Sequence, residues 1–382
     1  MMVPGPIEFR QEPLPPLAVI EREWRELETV ARASFFTSWH WIGTLLAILP
    51  EKSRPNLLRG SARGETVALA LLGARLARRR HGLIRSRSLY LNETGDPGFD
   101  SLTIEHNGLL AAMSLESAAL DALVAWFARN GAEADELNLS GSLLRVSDEA
   151  LGASGLRRRE VAVPSYCVEL DRLAQGGELF PVLSANARQQ LRRAIRNFER
   201  SGPLELRRAA TLVEASQFFA SLKELHSTSW GRQGKPHAFT GAFFEPFHQL
   251  LIERSFDAGA IELLRASAGA RVIGYLYNFR MHNRVYSYQS GFAYDDRAAR
   301  PGAVAHAMAI HDAYRCGACV YDFLAGHNRL KESFSTRCQP MLWQTIQQPR
   351  VAFRLEHLAR SVKHAAASAL SDLRRRKKRL LP

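Results

Sequence analysis

The sequence predicts an α/β fold of the α+β kind, built on a mixed sheet and laid out in two similar halves. Three observations lead there. Helical and strand periodicities alternate along 382 residues, a length that suits two domains better than one. Each half follows one plan of helices, antiparallel strands, a helix and a further strand, although no repeat is visible residue by residue. The composition, 46% hydrophobic and 23% charged, is that of an ordinary folded chain able to build a large core.

In the first half, residues 1–165, a Pro-rich start leads to a helix over Val19 to Ala33, and FFTSWHWIGTLLAILP forms a second with Ser38 at its N-cap. LLRGSARGETVALALLGARL has the form of a β-hairpin whose loop holds Gly60 and Gly64. SLYLN and DELNLSG are strand-like runs around the helical MSLESAALDALVAWFARNG.

The second half, residues 166–350, opens on SANARQQLRRAIRNFERSG, where Leu183, Ala187, Leu191, Ala194 and Phe198 make one apolar stripe that ends at Gly202. The short strand LELRRAA and the helices TLVEASQFFASLKELHSTSW and GAFFEPFHQLLIERSFDAG follow. IELLRASA, RVIGYLYNFRMH and RVYSYQSGFAY, joined by tight turns, form an antiparallel meander. ARPGAVAHAMAIHDAYRCG then starts a helix, and ACVYDFLAG is the next strand. Over residues 351–382 an amphipathic helix with Leu355, Leu358, Val362, Ala365 and Ala369 at heptad-like intervals runs into RRRKKR.

Lys and Arg number 51 against 38 Asp and Glu, a formal charge of +13. That charge points to an anionic partner: a phosphate-bearing cofactor, nucleic acid or an anionic membrane surface. Four cysteines in such a chain exclude a disulfide scaffold, and MMVPGPIEFRQEP lacks the apolar stretch of a signal peptide. The expectation is a reduced, cytoplasmic protein. No apolar run reaches the ~18 residues that suggest a membrane span. There is no P-loop, no Rossmann fingerprint and no His-Glu-x-x-His. Cys316 and Cys319 form a Cys-x-x-Cys without a second pair, so packing is expected of them and no metal. The basic tail suits an anionic membrane surface; no nucleic-acid motif accompanies the charge.

Two stretches have the residue types of a working site. Arg300-Pro301-Gly302 opens a helix where Pro favours the first turn and Gly admits a close ligand, so the N–H groups and positive dipole end suit a pyrophosphate. YDFLAGHNRLKESF, Tyr321 to Phe334, ends an apolar strand on Gly326 and then presents His, Arg, Lys and Glu. Elsewhere Arg188, Arg192, Arg196 and Arg200 lie four apart in one column, which disfavours the helix by about 0.2–0.5 kcal/mol per pair unless an anion relieves it.

The order of meander, phosphate-type helix start and further strand resembles the GNAT acyltransferases. The nearer resemblance is to their FemAB-like branch, the acetyltransferases of the CelD/BcsL type associated with cellulose and exopolysaccharide synthesis. SANARQQLRRAIRNFERSG, FFASLKELHSTSWGRQGKP, VIGYLYNFRMHNRVYSYQSGFAYDDRAARPG and YDFLAGHNRLKESF carry it in order over about residues 184–337. The first half matches by layout alone, as the degenerate first copy of a tandem GNAT protein does.

The resemblance implies tandem GNAT domains and direct transfer from acyl-CoA, in the simplest case acetyl-CoA, without a metal. It places the pyrophosphate at Arg300, Gly302, Ala303 and Val304, with Ala299 and Val304 departing from the family's loop motif. Asp322, His327 and Glu332 are the candidates for the base that an amine of pKa near ~10.4 requires. Tyr286, Tyr288 and Gln289 lie on the last meander strand, where the two tyrosines share a face and suit an acceptor or a departing thiolate. His226, Trp230 and Arg232 fall in the family's substrate-side segment, with Arg188 and Arg192 as anion contacts. Gly326, Leu330, Lys331 and Phe334 match residues that recur in Fem-type aminoacyl ligases, so Lys331 is the candidate to offset charge on the acyl oxyanion. The expected substrate is a small molecule or glycan precursor, handled in the cytoplasm or at the inner membrane. The alternatives are a Fem-like ligase drawing on aminoacyl-tRNA, and an inactive GNAT scaffold in a polysaccharide-synthesis complex.

Overall fold

The computed structural model describes residues 5–79, 84–130, 133–173, 176–177, 179–231, 234, 237–294 and 299–356. The first half runs β1 (Glu8–Glu12), α1 (Leu17–Glu28), α2 (Trp39–Ile48), β2 (Asn56–Ala62), β3 (Glu65–Arg79), β4 (Ile84–Leu91), β5 (Leu110–Ala111), α3 (Glu116–Arg129), β6 (Glu136–Ser142), α4 (Asp148–Ala153) and β7 (Arg157–Glu169). The second runs α5 (Ala185–Glu199), β8 (Leu204–Arg208), α6 (Leu212–Gly231), α7 (Phe244–Ser255), β9 (Ile261–Ala268), β10 (Arg271–Met281), β11 (Arg284–Phe292), α8 (Pro301–Arg315), β12 (Val320–Ala325), α9 (Arg329–Phe334) and β13 (Arg337–Gln347). Residues 351–356 are helical, and the rest of the predicted tail helix with RRRKKR lies outside the described residues.

Local chemistry accounts for several boundaries. Ser184 caps α5, its hydroxyl accepting the Ala187 N–H at 3.2 Å. Ser38 stands at the N-cap of α2 as expected, but its hydroxyl donates to the Phe35 carbonyl, and the Glu28 carboxylate takes the Trp39 N–H at 2.6 Å. The predicted hairpin forms between β2 and β3 with its turn at Arg63 and Gly64, whereas Gly60 lies inside β2. A Cβ at Gly60 would meet the Phe9 ring at 2.9 Å, so close packing against β1 is its reason.

Among the described residues one mixed sheet has the order β1-β2-β3-β4-β6-β13-β7-β12-β11-β10-β9-β8, with β5 beside β3. Each half contributes an antiparallel meander that ends in a parallel pair, β4 with β6 and β11 with β12. The last strand of each half then crosses to the other. β7 pairs with β12, and β13 pairs with β6, while β13 pairs along its whole length with β7. The 165/166 boundary therefore falls inside β7, a strand that joins the halves.

The core is shared in the same way. Trp24, Phe35, Phe36 and Trp41 of the first half pack with Phe247, Tyr277, Phe279 and Tyr286 of the second, and Phe35 stacks on Phe279 with ring centroids 4.2 Å apart. The opposite face of the sheet carries two separate clusters, one under α5 and α8 and one under α3.

Candidate active site

β11 and β12 pair in parallel only where Arg284–Tyr286 face Val320–Asp322. Beyond that point β12 bends. Leu324 has φ 63°, a left-handed conformation that a leucine rarely adopts, and Asp322 Oδ1 holds the bend by accepting the Leu324 N–H at 2.8 Å. The diverging strands leave a cleft of about 380 Å³. Ser287 and Gln289 of β11, Gly302 and His306 of α8, Ala325 of β12 and Lys331 of α9 line it, with Thr103 and Glu105 from the first half.

Residues 102–107 reach the cleft as a strap. The Tyr288 hydroxyl donates to the Leu102 carbonyl, and Ser34 Oγ donates to the His106 carbonyl at 2.8 Å. Gly141 lets the strap lie close, since a Cβ there would stand 2.5 Å from the Ile104 oxygen. Thr103 and His106 have φ 55° and 48°, so packing and hydrogen bonds hold the strap in a conformation such residues seldom take.

Within the cleft, Ala325 stands between two opposite charges. Its N–H donates to Glu105 Oε2 at 2.7 Å, and its carbonyl accepts from Lys331 Nζ at 2.7 Å. Burial raises the Glu105 carboxyl above the usual range, against the lowering pull of the Ala325 N–H, Lys331 and His106. Burial likewise lowers the Lys331 ammonium, which Glu105 and Asp322 oppose. His306 Nδ1 lies 3.0 Å from the Tyr321 hydroxyl, and burial, with Lys331 nearby, pushes its imidazole down to about 3. His306 is therefore a neutral side chain in this wall.

A second group lies beneath. Arg284 donates to Asp322 Oδ2 at 2.6 Å, and His106 Nε2 stands 3.1 Å from the same oxygen. Burial alone would raise Asp322, but His106, Arg284 and the Leu324 N–H outweigh it and hold the carboxyl below the usual range.

Of the residues expected from the sequence, the cleft brings together Lys331, Tyr288, Gln289 and Gly302. Asp322 does not line it; its buried carboxylate is occupied by Arg284, His106 and its own strand, which is the work of an anchor rather than a free base. His327 is exposed and 3.7 Å from Glu332, itself exposed, and neither lines the cleft. Tyr286 shares the face of Tyr288 but is buried against Phe36 and His106. His226 packs behind β11, with Nδ1 2.9 Å from the Ser290 carbonyl and its ring stacked on Trp230. Burial lowers its pKa. Arg232 lies outside the described residues.

Arg188 donates to the Leu183 carbonyl and Arg192 lies over the Phe180 ring at 5.3 Å, so both engage their own helix start and not the cleft. At the start of α8, Arg300 is the N-cap at φ 53°, whereas Ala303 and Val304 are buried in the core and Gly302 alone reaches the cleft. Cys316 and Cys319 are exposed, so the packing expected of them is not found. Among the described residues no group of three or more His, Cys, Asp or Glu side chains could hold a metal ion.

The sequence reading missed Glu105, His106 and His306. His306 lies four residues after Gly302, on the same helical face, and that spacing could have found it. Nothing local marks Glu105; only the crossing of chain halves brings it here.

By comparison, residues 185–332 match a family model described as an acetyltransferase (GNAT) domain. No curated protein matches the chain. Solved structures share its fold, among them FemX, with a TM-score of 0.59 at 11% identity over 91% of this chain and 99% of that one. The C-terminal domain of a putative lysylphosphatidylglycerol synthetase from Agrobacterium fabrum gives 0.53 at 12% identity, covering 91% and 96%. L-PGS from Bacillus licheniformis gives 0.53 at 11%, covering 92% and 97%. The solved structures show the mixed α/β fold, and the GNAT match covers residues 185–332.

Proposed function

We propose that the protein is an acyl-CoA-dependent acyltransferase that delivers an acyl group, acetyl in the simplest case, to an amine or hydroxyl of a sugar, cell-envelope or exopolysaccharide precursor. The observation that carries this is the cleft between β11 and β12, which holds Glu105 and Lys331 on either side of Ala325 and borders the first turn of α8. The GNAT match and the CelD/BcsL-like segments support it.

The donor thioester lies along β11, with its diphosphate toward the start of α8. The acceptor nitrogen or oxygen attacks the thioester carbonyl carbon and gives its proton to Glu105, a carboxylate made more basic by burial. Lys331 has three N–H donors and directs two at the Leu324 and Ala325 carbonyls, leaving a third for the oxyanion. Collapse breaks the C–S bond, and the CoA thiolate leaves with the proton held by Glu105. The reaction takes place in the cytoplasm, at the inner membrane where the basic tail meets anionic lipid.

Acetyl-CoA titration tests the donor. Wild type is expected to bind it and Lys331→Ala to bind more weakly. Glu105→Gln is expected to keep binding while free-thiol release with glucosamine as probe falls by about 10²–10⁴-fold. No binding of any acyl-CoA would remove the proposal. The Gly326, Leu330, Lys331 and Phe334 pattern favours a second reading, a Fem-like ligase supplied by aminoacyl-tRNA. A tRNA gel shift that acetyl-CoA does not compete would favour it.

A further inference from the structure

A cavity of about 360 Å³ lies in the first half, between the end of the loop after α2 and the loop after β4. Lys52, Arg54 and Arg75 line it with Ser53, Thr94 and Asp96. Three cations thus face one carboxylate. Asp96 turns an oxygen to the Gly98 N–H at 2.9 Å, and nearby Asp100 is taken up by Thr94 and Gly95. Arg75 donates to the Gly95 carbonyl at 3.0 Å. Among the described residues no carboxylate pairs with Lys52, Arg54 or Arg75, although Arg59, five residues after Arg54 on β2, has two, Glu12 and Glu23. Arg54 lines the cavity, and its Nε, shut off from solvent, has no acceptor among the described residues.

We propose that this cavity is a second binding site, which takes a phosphoryl or diphosphoryl group. A planar guanidinium matches two phosphoryl oxygens at once, Lys52 and Arg75 add charge, and the Ser53 and Thr94 hydroxyls suit the remaining oxygens. The site stands apart from the acyl-transfer cleft and does not depend on that reading. Phe99 of its wall packs on Phe243 at 4.9 Å, the residue before Phe244 of the cleft wall.

Sodium pyrophosphate titrated calorimetrically into the full chain tests the site, against sodium chloride at equal ionic strength. Saturable binding is expected, weakened at least about tenfold by Arg54→Gln, partly kept by Arg54→Lys and unchanged by a cleft-filling Gln289→Trp. Because Arg54 has no native partner, Arg54→Gln is expected to leave the unliganded Tm level or higher. Phosphatidic acid vesicles compete with pyrophosphate if the natural group is carried on a lipid, and do not if it is soluble. The proposal is overturned if pyrophosphate binds no better than chloride. It is equally overturned if Gln289→Trp removes the binding while Arg54→Gln spares it, or if Arg54→Gln lowers the unliganded Tm.

Discussion

Replacing Asp322 by Asn keeps the shape of the side chain and removes its charge. The Oδ1 contact to the Leu324 N–H survives, while the ionic contact to Arg284 at 2.6 Å and the contact to His106 at 3.1 Å lose their anion. Breaking a buried ion pair from one side costs about 3–5 kcal/mol. Arg284 is 32% exposed, so water recovers part of that, and the expected loss is about 2–4 kcal/mol. The pH dependence has a definite sign. The folded pKa of Asp322 is lowered, so its contribution is present above the unfolded value near ~3.9 and is lost as pH falls through the folded value. Wild type therefore loses stability in acid more steeply than the variant. Urea unfolding at pH 7 measures the loss, and repeating it at about pH 2, below the unfolded value, measures the difference in acid sensitivity. An Asn variant within about 0.5 kcal/mol of wild type at pH 7 would refute the anchor role. If it were as stable as wild type and had no turnover, Asp322 would be the base after all.

Glu93 behaves in the opposite sense: burial, with Asp100, raises its carboxyl to about 7 despite a Ser140 hydrogen bond, and Oε2 has no partner. Its folded pKa lies above its unfolded one, so stability is full below the unfolded value and is lost as pH rises to the folded one. The stability advantage of Glu93→Gln over wild type is expected to grow by about 3 kcal/mol between pH 4.5 and 8, read from urea midpoints; parallel curves would contradict this. Chains 1–165 and 166–350 made separately each lack a strand partner, and are expected to be insoluble alone and to recover together. A soluble monomer of either would show that the strand crossing is dispensable.

The meanders, α5, α6, α7 and α8 were legible because their apolar residues repeat at the helical or strand period. β1, β7 and β13 were not: REVAVPSYCVEL and CQPMLWQTIQ mix polar and apolar residues, and they are strands because they fill the seam between the halves. Lys331 was found through its motif, and Gly302 through the chemistry of a helix start. Asp322 looked like a base because a strand-end carboxylate is also what a base looks like; its partners, Arg284 and His106, are 38 and 216 positions away in the chain. Glu105 could not be read locally, since its role depends on a strap from one half crossing to the other.

The central claim is that the cleft binds acyl-CoA, and the most direct measurement is acetyl-CoA titration of wild type beside Gln289→Trp. Gln289 lines the cleft, and among the described residues its side-chain hydrogen bond is from the neighbouring Ser290 N–H, so the larger ring blocks the space at little structural cost. Saturable binding to wild type is expected, and its loss in the folded variant. Absence of binding to wild type, or equal binding to both, would contradict it.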